Sequence, residues 1–78
     1  MELDPNHADA NADKGAALCL SGKYDDAILF FDRVLRFHDV SVKTRVRTLR
    51  NKAISLRELG DPENAKKCDE EADRLDLK

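Results

Sequence analysis

GKYDDAILFFDRVLRF, residues Gly22 to Phe37, is the stretch whose reading decides the fold. Tyr24, Ala27, Ile28, Phe31, Val34 and Leu35 recur at helical spacing and form one apolar stripe. Phe30, Val34 and Phe37 form a second stripe on an adjoining face. A helix that is apolar on two faces needs neighbours on more than one side. The segment also carries every aromatic residue of the chain. It is therefore expected to be the central helix, Tyr24 to Phe37, with Asp25 and Asp26 set against its N-terminal dipole and Asp32 paired with Arg36 one turn on.

Working outward, Ser21-Gly22-Lys23 reads as a tight turn in which Gly22 supplies a left-handed cap. The alanine-rich ADANADKGAALCL before it predicts a first helix from about His7 or Ala8 to Leu20. Gly15 costs that helix about 1 kcal/mol relative to alanine, and a glycine kept there marks a close helix–helix approach. Residues 1–7 are a lead-in, because Pro5 excludes a helix interior at Leu3-Asp4-Pro5-Asn6. Beyond Phe37, His38 to Ser41 breaks the pattern. Asp39 or Ser41 caps a third helix to about Leu59, with Val42, Val46, Leu49, Ala53 and Leu56 on one face. Gly60 ends it. Pro62 then opens a fourth helix to about Leu75, whose thin stripe is Ala65, Cys68, Ala72 and Leu75.

The chain has 78 residues and a formal net charge of −2, so it forms one domain and carries no global attraction for nucleic acid or acidic membranes. The polar, acidic N-terminus is unlike a signal peptide, and the longest apolar run, Ala27 to Phe31, is far too short to span a bilayer. Cys19 and Cys68 are isolated thiols, as in a reduced, cytoplasmic protein. His7 and His38 have no metal-ligand spacing, and no phosphate loop or nucleophile elbow occurs. No enzyme activity, cofactor or metal is expected.

The four helices form an internal repeat. Sliding the chain by thirty-eight positions, Gly60 onto Gly22, also aligns Lys52 with Lys14, Leu56 with Leu18, Ala65 with Ala27, Glu70 with Asp32 and Arg74 with Arg36. A helix–turn–helix unit is used twice, residues 8–38 and 39–78, with a polar last helix. The fold class is all-α, two stacked helical hairpins.

On these residues the chain resembles the tetratricopeptide repeat family. Gly15, Leu18, Gly22, Tyr24, Ala27, Phe31 and Val34 carry the likeness in the first unit, and Leu49, Ala53, Leu56, Gly60, Pro62, Ala65 and Ala72 in the second. Leu3-Asp4-Pro5-Asn6 is similar to the close of a preceding repeat. The family period is about 34 residues, so about four residues are extra, expected as an added helical turn near His38 to Ser41. Asn11, Lys14 and Lys52 depart from the family's large or apolar residues. Lys66, Asp69 and Asp73 stand where a further stacked unit would want apolar side chains, as in a polar terminal cap.

The resemblance implies a short α-solenoid that binds a peptide in a groove lined by the first helix of each unit. Turn-glycine alignment directs Arg47, Arg50, Asn51, Ile54 and Arg57 there from the third helix, and Asp9, Ala12, Ala16 and Cys19 from the first. That wall is basic, which suits an acidic or carboxylate-ended peptide. Ala12 and Ala16 replace the lysine and asparagine of modules that clamp chaperone tails, and Asn51 alone matches, so that particular ligand is not expected. RNA ranks below protein, because no aromatic side chains interleave the cations. The expected function is thus a non-catalytic protein-interaction module. The alternative is a structural one, a homo-oligomer formed through an uncovered repeat end.

Overall fold

A computed structural model describes residues 7–77. The expected lead-in at Leu3-Asp4-Pro5-Asn6 lies outside the described residues. Four helices follow in order: α1 (Ala8–Leu20), α2 (Tyr24–Arg36), α3 (Val42–Glu58) and α4 (Pro62–Asp76). No strand occurs among the described residues. The fold is all-α, two antiparallel hairpins stacked so that α2 packs on both α1 and α3, α4 packs on α3, and α1 lies along α3.

The two hairpin turns are built identically. Gly22 has φ 80° and Gly60 φ 84°, a region that a Cβ disfavours. In the first turn the Lys23 amide donates to the Leu18 carbonyl (2.8 Å) and Gly22 to Cys19 (3.1 Å). In the second, Asp61 donates to Leu56 (2.8 Å) and Gly60 to Arg57 (3.1 Å). Both are Schellman closures, which satisfy carbonyls left over at a helix end. They fall at positions that the thirty-eight-residue repeat makes equivalent.

The junction between hairpins is different. α2 ends at Arg36, with Phe37 as an extended cap residue, and residues 38–41 are non-helical. The expected extra helical turn is therefore not there. It lengthens the start of α3, which has 17 residues against 13 in α1. Ser41 caps α3, its hydroxyl accepting from the Thr44 amide at 3.1 Å. Arg45, in that added turn, donates to the Leu35 (3.3 Å) and Phe37 (2.7 Å) carbonyls. It satisfies the end of α2, where no glycine closes the helix.

The buried apolar side chains are Ala12, Ala27, Phe31, Val34, Leu49, Ala53, Ala65 and Ala72. The α2 stripe is thus the centre of the core, as its periodicity predicts. Val42 departs from expectation: at the first position of α3 it is 55% exposed, whereas Val46 one turn on is half-buried. Phe30, from the second stripe, is only half-buried, and the Arg33 guanidinium sits 5.1 Å from its ring centroid. The expected Asp32–Arg36 pair is replaced by a bond across the hairpin junction, Lys52 Nζ to Asp32 Oδ1 at 2.7 Å.

Asp61 caps α4. Its carboxylate accepts from the Asn64 side-chain amide at 2.7 Å and the Asn64 backbone amide at 3.2 Å. The side-chain bond first, then the backbone bond, hold its carboxyl below the usual range. A depressed folded-state pKa stabilises the fold above the unfolded value and loses that contribution as pH falls through the folded one. Urea melts from pH 7 to 2 check this. Asp61→Asn, a comparable cap, should match the parent near neutrality and lose stability less steeply below about pH 4. Identical pH profiles would remove Asp61 from the acid response.

Candidate functional site

The face expected to bind a ligand is formed by α1 and α3, which run side by side. Thr44 Oγ1 donates to Asp9 Oδ1 at 3.1 Å, and Ser55 Oγ lies 3.4 Å from Cys19 Sγ, partners 35 and 36 residues apart. Arg47 pairs with Asp13 at 3.5 Å between them. These three links place the helices parallel and in register. At their N-terminal mouth, Asp9, Asp13, Lys43, Thr44 and Arg47 line a shallow depression of about 310 Å³.

The expected site residues divide into three groups. Ala12 is buried at 3% exposure and offers no surface, whereas Ala16 is half-buried. Arg47 and the half-buried Asn51 lie on α3, Arg47 alongside α1 through its Asp13 pair. Arg50, Ile54 and Arg57 form a row displaced towards α4. Arg50 Nη2 bonds Asp73 at 3.0 Å and approaches Asp76 at 3.7 Å. Arg57 pairs with Asp69. Ile54 lies between the two arginines at 48% exposure.

The repeat explains this displacement. Ala12, Ala16 and Cys19 are the first-unit equivalents of Arg50, Ile54 and Arg57. Ala12 is covered, and Cys19 touches Ser55 of α3. The corresponding face of α3 has no helix beside it among the described residues. Its cations fold instead onto the carboxylates of α4. Asp69 and Asp73, which depart from the apolar repeat pattern, are therefore the partners of Arg57 and Arg50.

Sequence reasoning missed Asp13, Lys43 and Thr44. The register between α1 and α3 could have found them, but turn-glycine alignment pairs equivalent residues, whereas neighbours are offset by about a turn. Periodicity also missed the buried polar residues Asn11, Thr48 and Ser55. The Asn11 side-chain amide donates to the His7 carbonyl at 2.8 Å, and the Ser55 hydroxyl donates to the Asn51 carbonyl at 3.1 Å.

A second groove, about 340 Å³, lies between α2, α3 and α4, with Ile28, Leu56 and Cys68 beside the Asp32–Lys52 pair. Burial raises the Cys68 thiol pKa; Lys52 opposes the shift, and Glu71, Asp69 and Asp32 add to it. That thiol is protonated at neutral pH and a poor nucleophile. Both cysteines are free. Among the described residues, no helix is long and apolar enough to cross a membrane, and no group of three His, Cys, Asp or Glu side chains could hold a metal ion. Comparison with family models, curated proteins and solved structures finds no match.

Proposed function

We propose that the protein is a non-catalytic interaction module of the tetratricopeptide type, acting in the cytoplasm. It binds an extended peptide along α1 and α3. The observation that carries this reading is Ile54, an aliphatic side chain 48% exposed between two guanidinium groups. An apolar anchor flanked by fork-shaped donors suits a peptide with an apolar residue next to a carboxylate. The arginines are already paired, but exposed ion pairs contribute only about 0–1 kcal/mol. A peptide carboxylate can therefore take the place of Asp73 or Asp69. Ala16 keeps the α1 side shallow enough for a backbone to lie against it, and Arg47 and Asn51 supply further donors.

An amide NMR titration with a pool of acidic C-terminal peptides, repeated with short RNA, tests the reading. Peptide alone should shift Asn51, Ile54 and their neighbours. Arg50→Glu should leave the melting transition in place and weaken binding about tenfold or more, the loss of one charge-assisted contact. Shifts with RNA alone, or with neither ligand, would refute the peptide reading.

A further inference from the structure

Of the ion pairs that cross between the two hairpins, Lys52–Asp32 is better shielded than Arg47–Asp13. Lys52 Nζ meets Asp32 Oδ1 at 2.7 Å, with the two side chains 22% and 39% exposed. The thirty-eight-residue repeat gives each partner an equivalent at the opposite end of the array: Lys14 on α1 for Lys52, and Glu70 on α4 for Asp32. Both charges are retained, and both side chains are exposed. Among the described residues neither takes part in an ion pair. Their neighbours do: Asp13 pairs with Arg47, Asp69 with Arg57 and Asp73 with Arg50.

We propose that Lys14 and Glu70 are the two halves of a junction made between copies of this chain. A second copy, set on the first as hairpin two is set on hairpin one, brings its Lys14 against Glu70. The first copy's α4 then does for the second copy's α1 what α2 does for α3. The small residues on α1, half-buried Ala10 and exposed Ala17, allow α4 to approach. Where α2 lines its groove against α3 with Ile28, α4 has Lys66 at the equivalent repeat position. The junction between copies is consequently more polar than the internal one, weaker and sensitive to salt. Its two surfaces differ, so association is head-to-tail and does not close at a dimer. Stacked in this way, the second copy's α1 also lies over the Arg50, Ile54 and Arg57 row, as α3 lies over Ala12 and Cys19, so peptide and second copy compete for it. Lys14 and Glu70 are outside that row, and their variants test this proposal alone.

Light scattering on the 78-residue chain across a concentration series at low salt provides the test. The weight-average mass should rise with concentration past that of a dimer and return towards the monomer in high salt. Lys14→Glu alone and Glu70→Lys alone should each stay monomeric, since like charges then face each other. Their equimolar mixture should associate again, because every junction between unlike chains regains one cation and one anion. Circular dichroism establishes that the variants are folded. Lys14→Gln and Glu70→Gln, also expected to stay monomeric, serve if a reversal disturbs a helix. A wild-type chain that stays monomeric overturns the proposal. So do single variants that associate like the wild type, or a mixture that does not recover.

Discussion

Phe31→Ala is expected to cost about 3–5 kcal/mol, the range for deleting a buried phenylalanine side chain. Phe31 is fully buried, and it is the largest such side chain among the described residues. Among the described residues, five of the eight buried apolar ones are alanines, so little else in the core can compensate. A domain this small holds about 3–5 kcal/mol of net stability from its single core, comparable to the predicted loss. Far-UV circular dichroism should therefore show a largely unfolded chain at 25 °C, or a urea midpoint close to zero. A variant that melts like the parent would show that α2 is not the centre of the core.

The second large effect comes from adding atoms at the same contact. A Cβ built on Gly15 would lie 2.5 Å from Phe31 Cε1 and 2.7 Å from Cδ1, well inside van der Waals separation. Because the ring is buried, it has no free space to move into. Overpacking of this kind costs about 1–3 kcal/mol, against about 1 kcal/mol gained from the helix propensity of alanine. Gly15→Ala should thus destabilise by up to about 2 kcal/mol, the balance of those two effects. In a Phe31→Leu background the obstruction shrinks, and the same substitution should become neutral or stabilising. A double-mutant cycle in denaturant reads this coupling. Additive effects would mean that Gly15 and Phe31 do not press on each other.

These two residues also show how much of the fold was legible. Gly15 was readable as a site of close approach and Phe31 as a core position, but not their mutual contact. Local signals were the most legible: Gly22 and Gly60 in left-handed turns, Ser41 as one of two candidate caps with Asp39, and Pro62 at the first turn of α4. Val42 escapes periodicity, which gives a face and not how deeply each position on it is buried. The extra helical turn was placed too early for a related reason. Residues 38–41 and 42–45 are both polar enough to be either loop or helix, and the Ser41 cap with the Arg45 bonds settles the boundary.

The candidate site was legible as a list of charges and not as an arrangement. Arg47, Arg50 and Arg57 stand out in the sequence of α3, but their partners sit on α1 and α4. Ala12 and Arg50 occupy equivalent repeat positions, yet one is covered by a neighbouring helix and the other is not. Sequence alone determined what depends on a residue and its near neighbours: helix starts and stops, the apolar stripe of α2 and the duplicated hairpin. Only the tertiary structure decided which cation meets which carboxylate, which polar side chains are buried and which apolar ones are left in water. Those outcomes depend on distances between helices far apart in the chain, and no local propensity encodes them.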